Sequence, residues 1–144
     1  MMKRAILLAA GRGKRLDVFG NAKPLVRVGH KPLIVRNIEQ LQDAGVEEIV
    51  VVLGFQADRV ERELLSHEFI HAKVHSVRVE DWEMSSMGDS VRMGIRALLS
   101  DPEESVFVVM SDLVLFDNPY PQLEEALEAY EAAVLVGLEE PHGS

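Results

Sequence analysis

The sequence predicts a three-layer, doubly wound α/β fold on a mostly parallel sheet, and two observations predict it. Five apolar runs of strand length recur along the 144 residues, at 4–10, 48–54, 73–79, 105–111 and 132–138. Several are nearly continuous, such as Ile49-Val50-Val51-Val52-Leu53 and Val106-Phe107-Val108-Val109-Met110. A strand that is apolar on both faces is one covered on both faces, as in a parallel sheet with helices above and below. Helical patterns separate the runs, and alternating β and α elements build that architecture.

The elements follow in order. The first run leads straight into a turn with two glycines, Gly11-Arg12-Gly13-Lys14-Arg15, and a short irregular stretch to Lys23-Pro24-Leu25. Pro32 marks a helix start, Ile34, Ile38 and Leu41 make one apolar face, and Gly45 ends the helix. A second helix spans about 57–66. A third follows Ser86-Met87-Gly88-Asp89, which has the spacing of a capping box, and its expected apolar face is Val91, Ile95 and Leu98. A fourth starts at Pro121, with Glu124 and Glu125 in its first turn where acids suit the helix dipole. No repeat, low-complexity tract or linker interrupts the pattern, so residues 1–144 read as a single domain.

Composition narrows the function. The absence of cysteine excludes disulfides and cysteine metal sites. Lys3 and Arg4 lead into an apolar run of only six residues, and no stretch reaches the roughly 20 apolar residues of a membrane helix. The expectation is a soluble, cytoplasmic protein with no membrane partner. The net charge of −9 hides an asymmetry: residues 1–36 carry nine Lys/Arg against Asp17 alone, whereas residues 37–144 carry six against 23 acids. A nucleic-acid binder is usually basic overall, so nucleic acid is not an expected partner. Positive charge confined to one strand-turn segment suits a compact polyphosphate.

Three features should meet beyond the carboxyl ends of the strands, where open α/β sheets bind ligands. The glycine turn follows the first strand, Asp112 follows the fourth, and Gly88-Asp89-Ser90 opens a helix after the third. Glycines let backbone N–H groups approach an anion, and Arg12, Lys14, Arg15 and Lys23 suit phosphate oxygens. The turn is not a P-loop, because it lacks the four-residue gap and the Gly-Lys-Ser/Thr ending. It is a poor dinucleotide fingerprint, because Leu16 stands where the third glycine belongs. His67, His71 and His75 recur every four residues, but Val74, Val77 and Val79 read as strand, which breaks any helical metal face. Trp82 could stack on a base or pack, and packing is the simpler reading.

The opening Leu8-Ala9-Ala10-Gly11-Arg12-Gly13-Lys14-Arg15, followed by Lys23-Pro24-Leu25, resembles the nucleotidyltransferases that couple an NTP to a sugar phosphate or phosphoalcohol. The likeness continues through Val26-Arg27-Val28-Gly29-His30-Lys31-Pro32-Leu33, Ala44-Gly45-Val46 and Val52-Leu53-Gly54-Phe55. Ser86-Met87-Gly88-Asp89-Ser90 and Val109-Met110-Ser111-Asp112 look closest to cytidylyltransferases for inositol phosphate or phosphocholine. The resemblance implies a Rossmann-like nucleotidyltransferase fold and transfer of NMP, CMP above all, with release of pyrophosphate. It implies that Leu8, Ala10, Gly11 and Gly13 border the nucleotide, and that Arg15 and Lys23 hold its phosphates. Gly88 and Ser90 would lie by base and ribose, and Asp112 would bind Mg2+. Lys14 departs from the Thr or Ser of many members, supplying charge but no hydroxyl.

Members of that family are usually longer, with much of the acceptor site and a second metal-binding acid in the later half. Here residues 113–144 contain no Lys or Arg to face an acceptor phosphate. The expectations left open are an N-terminal half of such an enzyme, a minimal form completed by another chain as a homo-oligomer, or a non-catalytic nucleotide-binding or regulatory module.

Overall fold

The strand that carries the opening motif is also the middle of the sheet. The computed structural model describes residues 4–10, 23–69, 71–98 and 106–110. In chain order its elements are β1 (Arg4–Ala9), a 3-10 turn (Lys23–Leu25), β2 (Arg27–Val28), β3 (Lys31–Pro32) and α1 (Leu33–Asp43). Then come β4 (Glu48–Leu53), α2 (Ala57–Leu65), β5 (Lys73–Arg78), α3 (Met87–Ala97) and β6 (Phe107–Met110). Four strands form one sheet in the order β5-β4-β1-β6. All three pairings are parallel, with Ala9 opposite Leu53 and Leu8 opposite Met110. The expected run at 132–138 and the expected helix from Pro121 lie outside the described residues, as do the two-glycine turn and Asp112.

β1 and β4 are buried at Ala5–Ala9 and Ile49–Leu53, which is what their unbroken apolar sequences require. Alternate residues feed two cores. Ala5, Leu7 and Ala9 pack with Ile49, Val51 and Leu53 against α1 and α2, through Ile34, Val35, Ile38, Leu41, Val60 and Leu64. Ile6, Leu8 and Val52 point to the other face, where Val91 and Met93 of α3 pack. The described residues therefore make helix, sheet and helix layers.

Local chemistry sets the helix ends. Pro32 is the N-cap of α1 in extended backbone, and Gly45 follows the helix with φ of +95°, a left-handed conformation that glycine adopts without strain. α3 opens with the full capping box: the Asp89 N–H donates to Ser86 Oγ at 3.2 Å, and the Ser86 N–H donates to Asp89 Oδ2 at 2.9 Å. These bonds hold the Asp89 carboxyl below its usual range, the Ser86 backbone N–H being the largest cause. α2 is tied to edge strand β5 by Arg78, which pairs with Asp58 at 2.7 Å and Glu61 at 2.9 Å.

The structure adds one pair of strands and changes one expectation. The β2–β3 pair is antiparallel and turns at Gly29; strands of two residues are too short to show a sequence period. The buried face of α3 is Ser90 and Gly94, not Val91, Ile95 and Leu98. Ile95 is 39% exposed, while Val91 is half-buried at the margin of the core. The reason is a close approach to the sheet: a Cβ on Gly94 would lie 2.5 Å from Ile6 Cγ2 and 3.2 Å from Val52 Cγ2. Small residues occupy the contact line, and the larger apolar ones are rotated off it.

Gly94→Ala should therefore destabilise the protein by about 1–3 kcal/mol through overpacking, although alanine is the better helix former. Urea unfolding reads this, and a variant as stable as the parent would rule out the close approach. Ser86→Ala should cost about 1 kcal/mol of the same quantity. The Asp89 carboxylate, with its lowered folded-state pKa, contributes stability above the ordinary carboxylate range and loses it as pH falls through the lowered value. The stability gap between parent and Asp89→Ala should accordingly narrow in acid; a pH-independent gap would count against the box.

Candidate functional site

From β1 the chain passes to β4 and then β5 on one side, and α3 then carries it back to β6 on the other side. The strand order thus reverses between β1 and β6. Such a switch point opens a crevice at the carboxyl ends of the two strands, because the connections leave in opposite directions. A cavity of about 160 Å³ lies there, lined by Leu8 and Ala10 at the end of β1, Met110 at the end of β6, Trp82, and Ser85, Ser86, Met87 and Ser90 around the start of α3.

Each wall has a local cause. Leu8 and Met110 are register partners in the sheet, so the floor is fixed by the β1–β6 ladder. Ala10 is held by its carbonyl, which accepts from the Phe55 N–H at 3.0 Å. Gly54 makes this possible: a Cβ there would lie 2.6 Å from the Ala10 oxygen and 2.7 Å from the Trp82 Cβ. The Trp82 ring packs against Phe55 with centroids 5.3 Å apart and a 60° tilt. Trp82 therefore packs, as expected, and lines the cavity as well. The capping box fixes the Ser86 backbone and the entry of α3, whose Ser90 is buried on the cavity.

Of the residues singled out in the sequence, Leu8, Ala10 and Ser90 come together here. Gly88 does not line the cavity; it lies exposed in the first turn of α3, open enough to take a Cβ, whose nearest neighbour would be Ser86 Oγ at 3.6 Å. Lys23 begins the 3-10 turn. Gly11, Gly13, Lys14, Arg15 and Asp112 lie outside the described residues. Met110, Ser85 and Met87 were not singled out as site residues. Met110 belongs to a strand run and to the stretch Val109-Met110-Ser111-Asp112 that carries the resemblance, and its place on the cavity depends on which strand β1 takes as neighbour. Met87 is 59% exposed beside the cavity and Met84, nearby in sequence, 87%.

The histidines divide as their strand reading implies. His67 pairs with Glu63 at 3.3 Å, and His75 on β5 meets the largely buried Glu48 at 2.9 Å. Among the described residues no cluster of three or more His, Cys, Asp or Glu could hold a metal ion.

The chain is similar to known proteins in sequence and in fold. The chain is 31% identical over 124 residues to the mannose-1-phosphate guanylyltransferase catalytic subunit beta of Drosophila melanogaster, covering 83% of this chain and 32% of that protein. It is 33% identical over 128 residues to the CMP-5'-(3-aminopropyl)phosphonate synthase of Streptomyces rubellomurinus, covering 88% of this chain and 20% of that protein. The structure of the CTP:phosphocholine cytidylyltransferase of Streptococcus pneumoniae superposes with a TM-score of 0.67 at 27% identity, over 82% of this chain and 48% of that one. The chain spans about a third or less of these curated relatives and about half of the solved structure. The family profile of the MobA-like NTP transferase domain matches residues 5–142, and the chain belongs to that family.

Proposed function

We propose that this chain is the nucleotide-binding part of a magnesium-dependent nucleotidyltransferase that moves an NMP from an NTP, with CTP favoured, to a phosphorylated sugar or alcohol and releases pyrophosphate. The observation that carries the reading is the cavity at the switch point, where Leu8 and Ala10 of the opening motif meet Ser90 of the capped helix. A small cavity suits the single-ring base, and two similar proteins carry cytidylyl chemistry in their names, although most of the similar curated proteins are guanylyltransferases. The guanylyltransferase relative makes GTP the competing donor. The same reading takes residues 1–144 as one domain acting in the cytoplasm; no helix among the described residues is long and apolar enough to cross a membrane.

In the proposed reaction an acceptor phosphate oxygen attacks the α-phosphorus in line. The bond from that phosphorus to the α–β bridging oxygen breaks, and pyrophosphate leaves with its electron pair. Two anions must approach, so the protein's task is positioning and charge neutralisation. The base and ribose sit against Leu8, Ala10, Ser90 and the neighbouring Gly88. Gly11 and Gly13 offer backbone N–H groups, and Arg15 and Lys23, with Lys14, offset the charge of the triphosphate. Asp112, two residues beyond Met110 in sequence, offers the hard oxygen donor that magnesium prefers and would hold the ion. When bound, the ion supplies further charge neutralisation across the phosphates.

A pyrophosphate-release assay with magnesium, run across CTP, GTP, UTP and ATP with inositol phosphate, phosphocholine and hexose phosphates as acceptors, should give its highest rate with CTP. Release by none of them, with nucleotide binding intact, would reduce the chain to a binding module. Arg15→Ala and Lys23→Ala should each weaken triphosphate binding about tenfold or more, since a charge-assisted bond is worth about 1.5–3 kcal/mol, and should weaken nucleoside binding less. Asp112→Asn should abolish the magnesium-dependent part of the affinity. Calorimetry checks all three, and unchanged affinities would place the phosphates elsewhere. Gly54→Ala should displace the Ala10 carbonyl or Trp82 and lower nucleoside affinity as well; parent-like nucleoside binding would detach Gly54 from the site.

A further inference from the structure

The chain contains no cysteine, so methionine carries all of its sulfur. Among the described residues the exposed methionines are Met84, Met87 and Met110. Met87 and Met110 line the cavity at the switch point, and Met84 stands between two residues that line it, Trp82 and Ser85. Met93 packs against the core instead. The backbone holds Met87 in place. It is the first residue of α3, directly after the N-cap Ser86, and the capping box anchors that end of the helix. The preceding turn is closed by the N–H groups of Met84 and Ser85, which donate to the Asp81 carbonyl at 2.9 and 3.0 Å. Met87 is therefore open to a dissolved oxidant and, at the same time, part of the wall that includes Leu8, Ala10 and Trp82.

We propose that Met87 is an oxidation site that regulates the cavity, with hydrogen peroxide as the oxidant; the proposal rests on the reading of that cavity as the nucleotide site. A lone pair of the thioether sulfur attacks one peroxide oxygen, the O–O bond breaks as the S–O bond forms, and the second oxygen leaves as water after taking the remaining proton. The thioether is oxidised to the sulfoxide and the peroxide is reduced. The product is polar where a flexible apolar side chain stood. Its oxygen is hydrated in the open cavity, and a base entering against Leu8 and Ala10 would strip that water, which opposes binding. The added atom also takes room in a cavity of about 160 Å³. Met84 is more exposed but does not line the cavity, so its oxidation leaves binding unchanged. Exposure decides which sulfur reacts, and the cavity decides which reaction has an effect.

The test treats the full chain with hydrogen peroxide and follows each methionine by peptide mass spectrometry. Cytidine and guanosine affinities are measured by calorimetry before and after. Met84 and Met87 should gain oxygen before Met93. The parent should lose about tenfold or more of its affinity for the nucleoside it prefers, and methionine sulfoxide reductase should restore it. Each variant is compared with itself before peroxide. Met84→Leu and Met110→Leu should remain sensitive, whereas Met87→Leu/Met110→Leu, with no sulfur left on the cavity, should not respond. Met87→Gln, a standing mimic of the polar product, should bind more weakly than Met87→Leu, with thermal unfolding showing that both fold. Saturating nucleoside should slow oxidation at Met87 and not at Met84. Unchanged affinity in a parent oxidised at Met87, an insensitive Met110→Leu, or an equal loss in Met87→Leu/Met110→Leu would overturn the regulation and leave the nucleotide reading standing. A parent that binds neither nucleoside would overturn the nucleotide reading, and the regulation with it.

Discussion

The parallel burial of β1 is the constraint on which the rest depends. A strand apolar on both faces and paired on both edges can sit only at the middle of the sheet, with helices above and below it. Parallel partners need crossovers, so each strand must be followed by a connection long enough to return the chain to the same end. Those crossovers are α1, α2 and α3, and they bring the carboxyl ends of β1, β4 and β6 together. The cavity is a consequence of that arrangement, since its floor is the register pair Leu8 and Met110.

Two glycines show how sequence economy becomes geometry. Gly94 allows α3 to press its backbone side against Ile6 and Val52, and Gly54 allows Ala10 and Trp82 to come together across the end of β4. Neither is there for backbone flexibility; each is there because the space for a Cβ is already filled. Both contacts bear on the same cavity, one through the seating of the helix that carries Ser90 and the other through the Ala10 carbonyl. Packing in the sheet and the shape of the site are therefore not separable in this part of the molecule.

Charge is arranged on the same scaffold. Cations are concentrated before residue 37 and acids after it, yet α2 breaks that pattern with Arg59 and Arg62. Arg78 pairs with the acids Asp58 and Glu61 on one side of α2, while Arg59, Arg62 and Glu63 line a cavity with Arg27 on the other. Residue totals along the chain conceal this, because opposite charges on one helix cancel in a sum and not in space.

The sequence by itself determined the fold class, the limits of β1, β4, β5 and β6 to within a few residues, the three described helices and the capping box at Ser86 and Asp89. These are local or periodic signals: apolar runs, a proline at a helix start, a glycine after a helix end, a spacing of three between cap and partner. It also determined the family, through the residues from Leu8 to Leu25, and it grouped Leu8, Ala10 and Ser90, which line one cavity. Only the tertiary structure decided that β1 lies between β4 and β6, that Met110 and Trp82 complete the cavity while Gly88 stays off it, and that α3 buries Ser90 and Gly94 in place of Ile95. Those outcomes turn on which surfaces meet and how closely. Hydrophobicity along a helix does not report that, because a backbone held close to a sheet favours small residues over apolar ones.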